Sequence, residues 1–238
     1  MKTINNILGF ENIKIVQDTD GFKFSLDSVL LANFVTLNKS IKRIMDIGCG
    51  NGIISILLSM KTNALIDGVE IQKDSYLNAV DSVKMNHLED KITLHNEDIR
   101  NFYKTLESDT YDVVVSNPPY FDNCDVLYQN INENKRISRH SLSLNYKDVI
   151  VISKKILKNN GVLSIVHRPE NMMDILFFMR ENNIEPKKIR FVYPYKGKNS
   201  NILLIEGSKN GKPGLKVLDP LYVYDNGCYT EEINKYFK

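Results

Sequence analysis

The chain has 238 residues, of which 42% are hydrophobic and 25% charged, a length and composition that suit one globular domain with a sizeable core. It contains no long apolar run and no apolar leader, and its cysteines (Cys49, Cys124 and Cys228) are scattered. These features argue against a membrane span, a disulfide framework and a zinc site, so we expect a cytoplasmic protein that binds no metal.

Charge is segregated along the chain. The net charge is only +2, yet residues 135–216 contain 17 Lys and Arg against 6 Asp and Glu. A basic tract of this length can form a surface that binds phosphates. A solvated, lysine-rich surface would explain the same composition.

The first predicted elements are a hairpin and a helix within residues 8–35. Ser25 is the candidate cap of this helix, because a serine side chain can accept a hydrogen bond from the first helical turn. An apolar stripe at helical spacing follows the cap. Its members are Leu26, Val29, Leu30 and Phe34.

Strands and helices then alternate, which predicts βαβ units and a doubly wound, mostly parallel α/β sheet of seven strands. The last two strands are joined by only "YKGKNS", which is too short for a crossover helix and indicates a C-terminal antiparallel hairpin. The predicted strands are 42–47, 64–70, 91–98, 111–117, 161–168, 188–194 and 201–207. The predicted helical stretches are 53–60, 73–87, 145–158, 170–182 and a short final helix from about residue 230.

The first of these strands ends in "DIGCGNG", a glycine-rich turn of the kind that lets a backbone approach a ligand closely. The dinucleotide fingerprint would need a third glycine where Ile53 stands, so a nicotinamide cofactor is disfavoured. The acid ahead of the glycines suits a cationic group such as an ammonium. The candidate ligand-binding residues of the turn are Asp46, Gly48, Cys49, Gly50 and Gly52.

Two further acids follow the next two strands. Glu70 can accept hydrogen bonds from both hydroxyls of a ribose, and Asp98 can accept one from an adenine amino group. Taken singly, either residue could instead be a helix cap or a surface acid. Together with Asp46 they would line one crevice, because the carboxyl ends of parallel strands meet at the same edge of the sheet.

The fourth strand delivers "SNPPYF" to that crevice. The side-chain oxygen of Asn117 and the carbonyl of Pro118 can accept both hydrogens of a planar amino group, which would favour a nucleophilic nitrogen. Tyr120 can stack on the base that carries the amino group, and Phe121 can add a second apolar wall. A structural Pro-Pro turn with a surface tyrosine is the alternative.

At this point the residues resemble the class I methyltransferases that use S-adenosylmethionine (SAM). "DIGCGNG", Glu70, Asp98 and "SNPPY" occur in the order and spacing of that superfamily. The resemblance implies a Rossmann-like class I methyltransferase fold, with SAM as the cofactor and Asn117 touching both SAM and the substrate. The "NPPY" motif alone leaves open adenine-N6, guanine-N2 and protein glutamine substrates.

The lead segment, residues 8–35 before the first predicted strand of the sheet, narrows the choice of substrate. "DGFKFSLDSVLLANF" resembles the bacterial tRNA1(Val) adenine-N6 methyltransferases, which modify the adenosine just 3′ of the anticodon. The resemblance implies tRNA as partner. From the residues alone, the lead is either a lid over the cofactor crevice, with Asp27 or Ser28 near the methionine end of SAM, or simply a structural cap. The basic tract supplies the candidate phosphate contacts, which are Arg136, Arg139, His140, Lys187, Lys188, Arg190, Lys196 and Lys198.

We therefore expect a lid over residues 1–40, a methyltransferase domain over 41–207 and a C-terminal extension over 208–238 that packs on the same domain. We expect the protein to act as a monomer. Ribosomal RNA, DNA adenine and release-factor glutamine remain alternative substrates. A SAM-binding scaffold subunit without catalysis is the alternative outside the enzymes.

Overall fold

The computed structural model describes residues 2–6, 13–18, 26–120 and 144–237. Within these ranges the chain forms an α/β sandwich around one central sheet. The strands are β1 (Lys2–Asn6), β2 (Lys14–Asp18), β3 (Arg43–Ile47), β4 (Leu65–Val69), β5 (Ile92–His95), β6 (Tyr111–Ser116), β7 (Leu157–His167), β8 (Ile184–Tyr193), β9 (Ile202–Lys209), β10 (Lys216–Val217), β11 (Leu221–Tyr222), β12 (Tyr224–Asp225) and β13 (Cys228–Tyr229).

Seven α-helices lie in the same ranges, and a 3-10 turn precedes the sixth. The helices are α1 (Leu26–Phe34), α2 (Ile53–Ser59), α3 (Lys73–Met85), α4 (Ile99–Thr105), α5 (Tyr146–Ile156), α6 (Met172–Glu181) and α7 (Glu231–Lys235). Helix α4 was not predicted.

The strand order of the central sheet is β10-β8-β9-β7-β6-β3-β4-β5, and β11 pairs with β8 beyond β10. All pairs are parallel except those of β9, which runs antiparallel to both β7 and β8. The predicted mostly parallel sheet and C-terminal hairpin are therefore confirmed. The two short strands β10 and β11 add to the edge that β8 would otherwise expose.

The core lies on both faces of the sheet, as the alternation along β6 illustrates. Val113 and Val115 pack into the cluster that contains α1 and α2, while Val114 packs into the cluster that contains α5 and α6. Successive side chains of a strand point to opposite faces, so a fully apolar strand must be covered on both sides. All three valines are completely buried.

The lead segment differs in part from the prediction. Its hairpin pairs β1 with β2 and so begins at Lys2 rather than near residue 8. The hairpin lies beside α3, where the backbone N–H of Val16 donates to the Ser82 hydroxyl over 3.0 Å. Helix α1 packs instead against α2, β7 and β9, which brings its first turn to the end of β6.

The C-terminal segment packs on the same core. Leu221, Val223, Ile233 and Phe237 are buried in the cluster that contains α1 and α2. Arg190 on β8 holds the final helix through two hydrogen bonds to Glu232, of 2.6 and 3.0 Å. This helix, α7, begins just after Thr230, whose hydroxyl caps it, so the predicted short final helix is confirmed.

Candidate active site

The carboxyl ends of β3, β4, β6 and β7 lie at one edge of the sheet. Ile47 pairs in register with Val69 on one side and with Ser116 on the other, and Ser116 pairs with Ile165. Polar residues that follow these positions therefore meet in one crevice, where open α/β sheets bind their ligands.

The glycine turn after β3 folds tightly against the end of β4. The backbone N–H groups of Gly48 and Cys49 both donate to the Val69 carbonyl, over 2.9 and 3.1 Å. Gly50 has a positive φ of 57° and no atom within 4 Å of where a Cβ would lie. Its conformation, rather than crowding, is what favours glycine there, and the open space leaves the backbone accessible to a ligand.

Asp46 is completely buried beneath this turn. Its Oδ2 accepts hydrogen bonds from the Ser55 backbone N–H (3.1 Å) and hydroxyl (2.7 Å), whereas its Oδ1 has no hydrogen-bond partner. Burial raises the pKa of Asp46 to about 7, against the two Ser55 hydrogen bonds, which lower it, and with a small contribution from nearby Glu70. A buried carboxylate with one unsatisfied oxygen suits a cationic ligand group.

Glu70 joins the turn to the start of α3. Its Oε2 accepts from the Gly50 backbone N–H over 2.9 Å, and its Oε1 accepts from Gln72 over 2.7 Å. Burial raises the pKa of this carboxyl, and the backbone hydrogen bonds oppose the shift. Each oxygen keeps further lone pairs, so Glu70 can still accept hydrogen bonds from the hydroxyls of a sugar.

Asp98 is engaged at the start of α4. Its Oδ1 caps the helix by accepting from the Arg100 backbone N–H over 2.9 Å, and its Oδ2 pairs with the Arg100 Nη2 over 2.8 Å. The Arg100 side chain lowers the pKa of this carboxyl. The contact of Asp98 with an adenine amino group stays a prediction, and the cap explains the unpredicted helix α4.

At the end of β6, the "NPPY" residues contact the first turn of α1. The Asn117 Nδ2 donates to the Ser28 hydroxyl over 3.3 Å. The Tyr120 hydroxyl lies 2.7 Å from Asp27 Oδ2 and 3.0 Å from Asn117 Oδ1. A phenol has one hydrogen to donate, and the shorter distance to a charged acceptor favours Asp27. Burial and the Asp27 charge raise the pKa of Tyr120, which keeps the phenol protonated.

Two residues that the sequence analysis did not single out, His167 and Arg168, contact Tyr120. His167, the buried last residue of β7, packs edge-on against the Tyr120 ring (5.3 Å) and the Tyr146 ring (5.5 Å) between centroids. The Arg168 guanidinium carbon lies 4.9 Å from the Tyr120 ring centroid. The signal was "VHR" at the end of the strand next to "SNPPY", since adjacent parallel strands deliver their last residues to one place.

The predicted phosphate contacts divide into two groups in the structure. Lys188 donates to the Phe34 carbonyl and pairs with Glu206, and the guanidinium of Arg190 binds Glu232, so both charges are used internally. We correct the prediction for these two residues, because a side chain held by a carboxylate and carbonyls is not available to RNA. Lys196 and Lys198 are exposed on the β8–β9 turn.

Lys187 donates to the carbonyl of Lys212 over 2.9 Å at an exposed position. Four candidate residues lie outside the described residues, as does the candidate cap Ser25. They are Phe121, Arg136, Arg139 and His140.

Within the described ranges, no cluster of three or more His, Cys, Asp or Glu side chains could hold a metal ion, and no helix has the length and apolar character of a membrane span.

Comparison with known proteins identifies the family. The family model described as the methyltransferase small domain matches residues 23–182. The chain belongs to this methyltransferase family. Its relatives include a tRNA1(Val) (adenine(37)-N6)-methyltransferase from Flavobacterium psychrophilum, 26% identical over 95% of this chain and 95% of the relative. A protein of the same name from Christiangramia forsetii is 27% identical, over 97% of this chain and 95% of its own.

Solved structures agree on the fold of this methyltransferase. A protein described as a predicted O-methyltransferase from Agrobacterium tumefaciens superposes with a TM-score of 0.69 at 19% identity, and the match covers 89% of this chain and 97% of that one. The expected Rossmann-like fold is confirmed. The family also confirms that the chain is an enzyme that uses S-adenosylmethionine.

Proposed function

We propose that this methyltransferase transfers the methyl group of SAM to the exocyclic N6 of an adenine in the anticodon loop of valine tRNA. The observation that carries the proposal is the Asn117 side chain, which Ser28 holds at the end of β6 with the Tyr120 hydroxyl 3.0 Å from its Oδ1. The similarity to tRNA1(Val) (adenine(37)-N6)-methyltransferases extends over nearly the whole chain and supports the same position, adenine 37.

The residues around the glycine turn fit the donor. When bound, SAM supplies a methyl group that is activated toward nucleophiles. The unsatisfied Oδ1 of Asp46 suits its ammonium group, and the free lone pairs of Glu70 suit its ribose hydroxyls. The open space at Gly50 lets the ligand lie close to the backbone.

The "NPPY" residues would make the adenine amine reactive. The lone pair of this amine is delocalised into the ring, so the free group is a poor nucleophile. Asn117 Oδ1 and the Pro118 carbonyl can accept its two hydrogens, which favours a pyramidal nitrogen and stabilises the positive charge that develops on it. The Ser28 hydroxyl fixes the amide, because it accepts from Asn117 Nδ2 and leaves Oδ1 toward the substrate.

Asp27 has a part in this arrangement through Tyr120. When the phenol hydrogen points to Asp27, Asn117 Oδ1 keeps its lone pairs for the substrate amine. The same hydrogen bond fixes the Tyr120 ring, which can then stack on the extruded base. No strong base is required, because the proton can leave the nitrogen after the methyl group has been transferred.

The test is a transfer assay with labelled SAM. Unmodified tRNA transcripts, ribosomal RNA, a DNA duplex and a release factor serve as substrates, and digestion identifies the labelled product. The proposal expects N6-methyladenosine in valine tRNA and none after adenine 37 is replaced by guanine. Label in guanosine, in DNA or in glutamine would contradict the proposed substrate. Bound SAM without transfer to any substrate would favour a scaffold role instead.

A further inference from the structure

A stack of tyrosines lies beside the active site. The rings of Tyr195 and Tyr224 are 5.3 Å apart between centroids with 29° between their planes, and the rings of Tyr224 and Tyr229 are 5.1 Å apart with 13°. Near-parallel rings at these spacings form a continuous π-stack. Tyr195 is its outer member, and 44% of its surface is exposed.

The backbone explains the stack. The segment after β10 runs parallel to β8, and the backbone N–H groups of Val223 and Tyr224 donate to the carbonyls of Tyr193 and Pro194, over 2.9 and 3.0 Å. Residues two apart on extended chains share a face, so Tyr195 and Tyr224 meet. The β12–β13 hairpin, which turns through Asn226 and Gly227 at positive φ, then folds Tyr229 onto Tyr224.

The stack lies at the same sheet edge as the active site. Strand β8 runs parallel to β7, because β9 is antiparallel to both, so the turn after β8 follows the same edge as His167. The Arg168 guanidinium lies over one face of the Tyr120 ring. Its Nη1 also donates to the Asn201 carbonyl over 2.7 Å. One side chain therefore links the "NPPY" tyrosine to the connection between β8 and β9, which also contains Tyr195.

Two exposed lysines lie in the same turn as the outer ring. The turn closes with a hydrogen bond from the Lys198 N–H to the Tyr195 carbonyl (3.1 Å), and Gly197 supplies its positive φ of 83°. Lys196 and Lys198 are exposed, and in the described part of the chain neither forms an ion pair with an acidic side chain. An exposed ring with two lysines in the same turn matches the way proteins bind single-stranded RNA, with bases on rings and phosphates on cations.

We propose that Tyr195, Lys196 and Lys198 form a platform for single-stranded RNA, on which a loop nucleotide near the target adenine stacks its base as the next member of the tyrosine stack. The inference rests on the proposed tRNA function and names a second contact of the same substrate. Tyr224 and Tyr229 support the outer ring from behind. The lysines bind the flanking phosphates.

The experiment compares Tyr195→Ala with Tyr195→Phe in the full-length protein. With an unmodified valine tRNA transcript, we expect Tyr195→Ala to raise KM and the Kd for tRNA roughly 5- to 150-fold, the range for loss of one base stack, with kcat and the Kd for SAM unchanged. Tyr195→Phe keeps the ring and is expected to match wild type. Phe177→Ala, at another exposed aromatic residue on α6, is the matched control.

The lysines give an independent readout. The double variant Lys196→Gln/Lys198→Gln is expected to reduce the slope of log Kd against log salt by about 2, or about 1 for each lost phosphate contact. Lys154→Gln, an exposed lysine at the far end of α5, is expected to leave the slope unchanged.

Equal tRNA affinity for wild type, Tyr195→Ala and Phe177→Ala would overturn the platform while leaving the methylation reaction intact. An equal loss in Tyr195→Ala and Tyr195→Phe, or a fall in thermal stability that accounts for the loss, would also overturn it. If the unchanged protein methylates no tRNA, the proposed function fails, and the platform is then decided by whether Tyr195→Ala weakens binding of a single-stranded RNA oligonucleotide.

Discussion

The two ends of the candidate site are built in different ways. At the donor end, Asp46 and Glu70 receive their hydrogen bonds from backbone N–H groups and a serine within the adjacent turn or helix. At the acceptor end, side chains from distant parts of the chain hold one another, as Asp27 and Ser28 hold Tyr120 and Asn117. The first arrangement can be read from a short motif. The second exists only once the chain has folded.

The difference between the two ends also predicts different effects for substitutions at each end. A change at the donor end should affect SAM binding. A change at the acceptor end should affect the rate of transfer, because in the proposed function those residues bind the substrate amine or hold the residues that bind it. Four experiments test this separation.

The largest effect is expected for Asn117→Ala. Removal of one preorganised hydrogen-bonding group from a transition state typically lowers kcat about 10²–10³-fold. We expect a loss of that order with the Kd for SAM changed by less than about threefold, because the proposed function assigns the ammonium and ribose of SAM to Asp46 and Glu70. Single-turnover kinetics and calorimetric titration measure the two quantities. Loss of both together would assign Asn117 to the cofactor or the fold.

The second effect concerns Asp46 and pH. Its pKa is raised from 3.8 to about 7, so below pH 7 the ligand-free protein holds a proton there that an ammonium ligand must displace. The affinity for SAM should therefore fall about tenfold for each pH unit below 7 and level off above it. Asp46→Asn, which still can accept from Ser55, should bind SAM weakly at every pH.

The same shift has a stability consequence with a definite sign. Between pH 4 and 7 the unfolded chain has lost the Asp46 proton while the folded protein keeps it, so stability falls as pH rises through this window. Denaturant unfolding of the ligand-free protein at several pH values should show this slope, and Asp46→Asn should lose the part that Asp46 contributes. Glu70→Gln controls for the neighbouring carboxyl, whose pKa is also raised. A slope that survives in Asp46→Asn and vanishes in Glu70→Gln would assign the proton to Glu70.

The third experiment is a double-mutant cycle between Asp27 and Tyr120. Tyr120→Phe and Asp27→Asn each disturb the 2.7 Å hydrogen bond, so each should lower kcat by about tenfold, as expected for a hydrogen bond to a charged group. The double variant should be little worse than either single variant. Tyr120→Ala should lose more, because stacking requires the ring. Full additivity in the cycle would mean that Asp27 acts on another group, such as the cofactor.

The smallest effect is expected for Ser28→Ala. Its hydroxyl accepts a 3.3 Å hydrogen bond from Asn117 Nδ2, which is long and neutral, so its loss should lower kcat by about two- to fivefold. Ser28→Thr keeps the hydroxyl and should restore most of the rate. A change in SAM affinity without a change in kcat would mean that Ser28 serves SAM binding, and it would contradict the separation between the two ends.

The sequence predicted the sheet well because each strand carries its own signal. Continuous apolar runs such as the valines of β6 specify a central strand, and the short β8–β9 connection specifies a hairpin. Helix α4 was missed because Asp98 was assigned to a ligand, although the same acid caps a helix. Lys188 and Arg190 were predicted to contact RNA phosphates. Their ion-pair partners, Glu206 and Glu232, lie outside the local sequence and so could not be recognised from it.

The glycine turn was recognisable from one segment, whereas the surroundings of Tyr120 were not. His167 and Arg168 reach Tyr120 because β7 pairs with β6, and this pairing skips the 121–143 segment between the two strands. A contact that depends on strand order has no local signature. It could be inferred only by placing the last residues of neighbouring strands side by side.

The ion pair beneath α1 bears on how this enzyme could be recombined with its relatives. Lys188 of β8 donates to the Phe34 carbonyl at the end of α1 over 2.6 Å, and Glu206 of β9 accepts from the Thr36 N–H over 2.7 Å. The helix that delivers Asp27 and Ser28 is thus fastened by residues more than 150 positions later in the chain. A chimera that exchanges the first 40 residues alone would separate the helix from its anchor. Exchange of the lead together with the β8–β9 hairpin should preserve it.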